Sequence, residues 1–395
     1  MREGWTYKKL GDCLSYIKNG ANIKQVKGAS GIPITRIETL SGGVFNRDRL
    51  GYADIFSSDK YCQNIMDDSD ILMSHINSKQ YIGRSVLYRK EGNEIIIHGM
   101  NLLRLKSIPS IVSSYFLNQF FQSDRFRDCV ARIRKDAVNQ SSMAISDLIK
   151  IPVPVPPLAE QERIVAELDL LSSVIDKKKA QLKEYNQLAQ SIFYDMFGDP
   201  ITNENGWEVK NMGEVGELQR GSGLSKKDLI DNGHPCILYG QIHTRFGAFT
   251  KKHIACIPQE LVRTAKIAHC GDVIMAITSE DVEGSCKSVA WMGDYDIAVG
   301  SDAAIYRHSL NGIYVSYYTQ TKAFHIEKAK YAKGFKVTHI STKEIANIPI
   351  PIPPLSLQLL FAEKIEAIEK QKALVQASIA ETETLFNSRM DFYFN

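Results

Sequence analysis

At 395 residues the chain exceeds one ordinary domain and can bury two or more cores. Its 44% hydrophobic and 24% charged residues exclude a disordered or fibrous class, and a formal charge of +3 leaves nucleic-acid binding to be decided by where the basic residues fall. Seven cysteines without C-x-x-C spacing exclude a zinc ribbon and a disulfide framework and fit reduced thiols. No apolar run approaches the ~18 residues of a membrane span, and Met1-Arg2-Glu3-Gly4-Trp5 opens no signal-peptide core, so a cytoplasmic protein is expected.

From Trp5 to about Lys150, β-rich runs alternate with Gly, Asn and Ser. Ile34–Leu40, Asp70–His75, Ser85–Tyr88 and Glu94–Ile97 read as strands. Ser110–Arg134, with Tyr115, Phe116, Phe120, Phe121 and Phe126 at helical intervals, reads as one amphipathic helix. An α+β domain over 1–150 follows.

The run Ile151-Pro152-Val153-Pro154-Val155-Pro156-Pro157-Leu158 can be neither helix nor central strand, because alternate prolines remove donors and hold their neighbours extended. It is a stiff lead-in to a helix that begins near Ala159. The helix carries an apolar seam at spacings of four and three: Ile164, Leu168, Leu171 and Ile175, then Lys178, Leu182, Tyr185, Ala189, Ile192 and Met196. That alternation is a coiled-coil heptad seam. Gly198 and Pro200 stop the helix, giving a length of ~57 Å at ~1.5 Å per residue. Residues 151–200 are therefore a Pro-rich lead-in and a spacer helix.

A second copy follows. Gly206-Trp207 and Met212-Gly213-Glu214 repeat Gly4-Trp5 and Leu10-Gly11-Asp12 at an offset of 202, and Asp272–Ala276 matches Asp70–Ser74 at the same offset. The Pro-rich run returns as Ile348–Leu355, offset by 197, and a second seam runs through Phe361, Ile365, Ile368, Lys372, Val375, Ile379, Thr382 and Phe386. A repeat of about 200 residues is too long for a solenoid unit and means tandem domains. Thus 201–347 is a second α+β domain, and 348–395 is its lead-in and spacer helix. The two seams can pair with each other as an antiparallel coiled coil, with Lys178 and Lys372 fixing register. Packing of each seam on its own domain is the alternative.

No catalytic constellation is present in the sequence. There is no G-x-x-x-x-G-K-[ST] loop, no Gly-rich strand-to-helix fingerprint, no Pro-Pro-aromatic tetrapeptide and no Pro-Asp start of a nuclease cluster. His234, His243 and His253 lack metal-ligand spacing. The reading is no catalytic residue, no cofactor and no metal.

Binding chemistry remains. Arg132, Arg134, Lys135 and Asn139 precede the first Pro-rich run, and Lys330, Lys333 and Lys336 hold the matching place in the second copy. Basic residues interleaved with aromatics suit phosphate contacts, a solvated helix face being the plain alternative. Candidates to face base edges in the first copy are Lys18, Asn19, Arg36, Lys79, Gln80, Tyr81 and Arg84. In the second they are Arg220, Ser225-Lys226-Lys227, Tyr239-Gly240-Gln241, His243, Arg245 and Ser279-Glu280. The copies differ at these places while sharing a framework, so each is expected to read a different sequence.

The Pro-Pro-Leu run, the Glu160-Gln161 helix start, the long helix and the closing Phe193-Tyr194-Asp195-Met196-Phe197-Gly198-Asp199-Pro200, between two divergent α+β domains, resemble the specificity (S) subunits of type I restriction-modification systems. The resemblance spans the chain. It implies a non-catalytic subunit with two target-recognition domains, each reading one half of an interrupted DNA sequence. It further implies two antiparallel helices that act as a ruler and dock two methyltransferase (M) subunits and, through them, restriction (R) subunits. The second copy departs at Leu357, where the first has Glu160, so the second helix start lacks a carboxylate for a capping or partner contact. A coiled-coil scaffold with protein-binding domains is the competing reading, and an enzyme with an unrecognised site a third.

Overall fold

Short runs of β-branched residues bounded by turn formers build the first unit's strands. The computed structural model describes residues 4–138, 140–332 and 338–395, and the chain divides into two compact units, Met1–Lys179 with Ala377–Asn395, and Ala180–Gln376. In the first unit the strands are β1 (Thr6–Lys9), β2 (Leu14–Asn19), β3 (Ile71–Ser74), β4 (Ile76–Asn77), β5 (Ser85–Leu87), β6 (Leu102–Ser107), β7 (Lys135–Asp136), β8 (Ser141–Ser142) and β9 (Pro152–Val155). They form an antiparallel sheet in the order β2-β6-β3-β5, a small sheet β4-β8-β7 and the pair β1-β9.

Three local expectations change. Ile34–Leu40 is not a strand: Ile34 makes only isolated bridges, and a 3-10 segment starts at Ile37, where the Thr39 hydroxyl accepts from the Arg36 amide. Ile97 likewise makes only bridges, and Glu94 spends its carboxylate on Arg47. The single helix expected over Ser110–Arg134 is two, Ser114–Gln122 and Asp124–Ile133, because Ser123 leaves helical geometry and its hydroxyl caps the second by accepting from the Phe126 amide.

The second unit's strands are β10 (Glu208–Asn211), β11 (Gly216–Arg220), β12 (His234–Ile237), β13 (Phe249–Thr250), β14 (Cys256–Ile257), β15 (Lys266–Ala268), β16 (Val273–Ala276), β17 (Thr278–Ser279), β18 (Ser288–Trp291), β19 (Ile297–Val299), β20 (Ala303–His308), β21 (Thr338–His339) and β22 (Pro349–Ile352). The order β11-β20-β16-β18 repeats β2-β6-β3-β5, with β13 added at one edge. The pairs β10-β22 and β17-β21 repeat β1-β9 and β4-β8. A second sheet, β14-β12-β19-β15, has no counterpart among the named sheets of the first unit. This is an α+β fold used twice.

Each Pro-rich run is extended, and each finds one partner strand, Thr6 lying opposite Val155 and Glu208 opposite Ile352. With Pro152 and Pro154 lacking N–H groups, the run can serve one neighbour only, so the pairing stops at two strands. Long helices follow at Leu158–Phe197 and Leu355–Phe394, 40 residues each.

In the first unit, Ile164 and Leu168 share a core with Met390, Tyr393 and Phe394 and with Phe116 and Phe120 of the domain. In the second, Ala189, Phe193 and Phe197 meet Phe361, Ile365 and Ile368, again in one core with domain residues such as Tyr314. The start of one helix meets the end of the other in each unit, which is antiparallel pairing, and the seam packs on its domain as well. Ile175 and Ile379 are buried, and Leu171, Leu182 and Val375 are half-buried. Of the two seam lysines, only Lys178 reaches the facing helix, donating to Ser378 Oγ (2.5 Å) and Thr382 Oγ1 (3.2 Å). Lys372 instead pairs with Glu369 of its own helix at 2.6 Å.

The helix starts are held by glutamine. The buried Gln161 Oε1 accepts from the Ser113 amide (2.8 Å), and its Nε2 donates to Ile111 O (3.0 Å) and Pro156 O (2.9 Å). Gln358 does the same work, accepting from Asn311 N and donating to Pro353 O, both at 2.8 Å. Glu160 pairs outward with Arg163, so Leu357 costs the second start none of the glutamine contacts. Because truncation leaves buried backbone groups unpaired, Gln161→Ala and Gln358→Ala should each destabilise by about 1–3 kcal/mol in chemical denaturation, whereas Glu160→Ala should change little.

His98 is buried, donates Nε2–H to Leu102 O at 2.9 Å, and has no partner at Nδ1. Burial pushes its pKa down to about 3, so the folded protein keeps it neutral while the unfolded chain takes a proton near 6.5. This contribution is complete above pH 6.5 and is lost as pH falls toward 3. Between pH 6 and 4, wild-type stability should therefore fall faster than that of His98→Gln, by about 1.4 kcal/mol per pH unit at most, read from denaturation midpoints.

Candidate nucleic-acid interface

Strand register decides which candidate residues meet. Asn19 and Met73 both lie opposite Leu103, so Lys18-Asn19 and the exit of β3 at Ser74 sit at the same end of the first unit's sheet. From Ser74 the chain passes through β4 and a loop that returns at Arg84. Gly83 closes the loop at φ +80°, its amide donating to Ser74 O (2.8 Å) while Ser74 N donates to Arg84 O (2.9 Å). The Arg84 guanidinium lies 4.6 Å over the Tyr81 ring, which flattens both against each other and leaves Lys79 and Gln80 exposed beside them.

The sheet β4-β8-β7 ties this loop to the basic hairpin. Lys79 lies 3.4 Å from Asp136, and Arg134 Nε donates to the same carboxylate at 2.6 Å. The Arg134 and Ser141 hydrogen bonds hold the exposed Asp136 carboxyl well below the usual carboxylate range. Lys79, Gln80, Tyr81, Arg84, Arg134 and Lys135 thus come together, with Arg132 exposed on the preceding helix. Arg36 is partly committed, its Nε donating to Arg49 O at 2.9 Å with Glu38 3.5 Å away. Asn139 lies outside the described residues.

The second unit repeats the plan with different chemistry. Arg220 lies opposite Ala304 and Ala276 opposite Ala303, so Arg220 and the loop after β16 leave one end of the sheet. The helix Tyr239–Thr244 leans against that loop, and the two enclose a groove of 720 Å³ lined by Tyr239, His243, Ser279, Glu280, Asp281 and Lys287 among others. His243 Nε2–H donates to Thr278 O (3.1 Å), and Lys287 Nζ donates to His243 O (2.8 Å), which fixes helix to loop. Gln241 accepts from Leu238 N at 2.9 Å and so caps the helix, and Arg245 is exposed just beyond its end. Lys226 and Lys227 are exposed on a turn closed by Ser225 and Asp228. Lys330 is paired with Glu327 at 2.6 Å. Lys333 and Lys336 lie outside the described residues.

Tyr239, Ser279 and Glu280 of the groove were legible in the sequence, whereas Lys287 was not. Strand pairing equates Ser85 with Ser288 and Met73 with Met275, so the second loop is one residue longer and the offset slips from 202 to 203. At that offset Lys287 is the counterpart of Arg84, a match that a fixed offset hides. Among the described residues no group of three or more His, Cys, Asp or Glu side chains could hold a metal, and no helix is long and apolar enough to cross a membrane.

A tandem α+β chain with a basic loop at the same sheet end in each copy, and with paired long helices, has the make-up of a DNA-recognition protein. The model of the type I restriction modification DNA specificity domain matches residues 2–187 and again 204–384, and the chain belongs to that family. It is a specificity subunit, the component that confers DNA-sequence specificity, and not a catalytic one. It is 27% identical over 391 residues, covering 93% of this chain and 87% of the relative, to a Methanocaldococcus jannaschii protein named for the specificity subunit of the type I restriction enzyme MjaX. With the EcoKI specificity subunit of Escherichia coli it shares 24% identity over 212 residues, 52% of this chain and 45% of the other.

Among solved structures, a chain of a type I R-M system studied for its complex assembly and conformational transition aligns at TM-score 0.56 and 18% identity, covering 100% of this chain and 98% of that one. The type I S subunit of M. genitalium aligns at TM-score 0.56 and 12% identity, covering 98% and 95%. These two likenesses concern the fold.

Gly83 is the residue on which the first loop's return turns: a Cβ there would meet Val130 Cγ2 at 3.0 Å in a backbone conformation L side chains rarely adopt. Gly83→Ala should cost about 1–2 kcal/mol of stability in chemical denaturation, while Gly92→Ala, at positive φ in open space, should cost less.

Proposed function

We propose that the domains at 1–150 and 201–347 are target-recognition domains that each read one half of a bipartite, interrupted DNA sequence. The observation that carries this is the repeated loop at one end of the same four-stranded sheet, closed by Arg84 in one copy and Lys287 in the other. Around Arg84 stand Lys79, Gln80, Tyr81, Arg134 and Lys135. Around Lys287 stand Tyr239, His243 and the acidic pair Glu280-Asp281, with Arg245 exposed past the end of the neighbouring helix. Arginine and lysine suit guanine edges, glutamine suits adenine and carboxylates suit cytosine amino groups, so these different surroundings favour different half-sites. The more peripheral basic residues supply phosphate contacts.

Residues 151–200 and 348–395 serve as lead-ins and spacer helices and as the docking face for methyltransferase subunits, two per chain, through which restriction subunits join. Leu170, Leu188, Leu359, Leu360, Leu374 and Leu385 support that reading, since they remain exposed on helices whose seams are already filled.

The test is the methylation pattern of the chain assembled with its methyltransferase subunits. Arg84→Gln should relax base preference by about tenfold or more in one half-site and Lys287→Gln in the other, a loss of the size of one good base contact. Equal loss at every sequence, or none, would overturn the assignment. Lys135→Gln should weaken binding evenly and lower the salt slope by about one.

A further inference from the structure

Among the described residues of the second domain, Lys328 is the most completely buried lysine or arginine, 1% exposed on the helix Lys322–Ala329. Its amine donates to the backbone carbonyls of Glu283 (2.8 Å) and Ser285 (2.5 Å), both in the loop that returns at Lys287. Burial lowers its pKa against the pull of the nearby Asp281 and Glu283 carboxylates, and the two carbonyls satisfy the amine in that buried place. The nearby Cys286 thiol is pushed up to about 12 by its own burial and is not a counterion.

The first domain solves the same problem differently. Ser123 and Thr321 cap equivalent helices, each hydroxyl also donating to the carbonyl three residues back. Seven residues past the cap stand Val130 in one and Lys328 in the other. Val130 lies directly under Gly83, which turns its loop at φ +80°. In the second domain Cys286 takes that corner at φ 58°, with the same backbone bonds: Cys286 N to Ala276 O, and Ala276 N to Lys287 O, each 2.8 Å. The second loop carries one residue more, and its inward carbonyls need donors that a valine cannot supply.

We propose that Lys328 is a positioning residue for DNA specificity: its amine fixes the loop 279–287 and thereby sets which bases the second domain accepts. The inference rests on the loop being a DNA reader. Within the loop, Gly284 N donates to Asp281 Oδ1 (2.6 Å) and Ser285 Oγ to Val282 O (2.7 Å), so the tip is tied to itself. Its hydrogen-bonded link to the helix beneath is the lysine amine, beside the apolar packing of Cys286 in one core with Phe324, and the tip carries Glu280 and Asp281 into the groove beside His243.

The experiment compares Lys328→Met, which keeps the aliphatic stem, with Lys328→Arg, which keeps a charged donor. In the free chain, amide exchange over residues 279–287 should accelerate by about tenfold or more in the Met variant, the size expected for losing bonds from a charged donor, with exchange in β16 and β18 unchanged. In the methyltransferase complex, the Met variant should lose base discrimination in one half-site only, with overall methylation of the best site little changed. The Arg variant should recover most of both properties. Unchanged loop exchange, equal relaxation of both half-sites, or a Met variant that fails to fold or assemble would overturn the proposal by assigning Lys328 to the general core. A wild-type complex without base preference would instead sink the DNA-reading assignment, while the exchange comparison would still decide whether Lys328 anchors the loop.

Discussion

A strand in which prolines alternate offers carbonyl oxygens but few amide donors, and much of each unit is arranged around satisfying them. Gln161 donates to Pro156 O and Gln358 to Pro353 O. Tyr314 and Tyr318 donate their hydroxyls to Pro351 O and Pro349 O. These donors are buried and come from the next long helix or from the helix Gly312–Tyr318, so satisfying the run also joins domain to helix. An unpaired carbonyl at such a place would cost as much as a lost hydrogen bond, which is why glutamine recurs at both helix starts while its neighbour varies freely between Glu160 and Leu357.

The seams obey a second constraint. An apolar stripe of four and three spacing can pair with a helix or pack on a sheet, and here each stripe does both, because Phe193 touches Tyr314 of the domain and Phe361 of the facing helix at once. Only the middle of the seam, where the domain contributes little, is polar. There Lys178 reaches Ser378 and Thr382, and a register shift would strand its charge. Nearer the helix start, Glu167 is bonded by Arg389 and Tyr393, which lowers its pKa and adds another charged tie between the helices of the first unit.

Repetition made the framework legible in the sequence. Proline, glycine and heptad spacing are backbone constraints, and they announce themselves at fixed offsets: the lead-ins, both 40-residue helices and the strands near Asp70 and Ser85 were readable for that reason. Ile34–Leu40 was not, since β-branched residues there close on a capped 3-10 turn instead of a ladder, a choice made by Thr39 and two glycines at positive φ. Among the loops the structure adds placement to residue type. Gln241 and Lys330 carry suitable side chains, yet one caps a helix and the other pairs with Glu327, while Lys287 was hidden by a single inserted residue.

That insertion also shows how one fold can carry two chemistries. The sheet end fixes where a loop starts and finishes, and the backbone bonds at Ser74 and Ala276 are the same in both copies. Between those fixed points a loop can change length only if its inward carbonyls find new donors and its corner finds a residue able to hold positive φ. Gly83 over Val130 is one solution, and Cys286 beside Lys328 is another. Each pairs a surface that meets solvent with a buried residue that does not. Divergence at the surface of such a domain therefore has to be matched one layer below, on the helix beneath the loop.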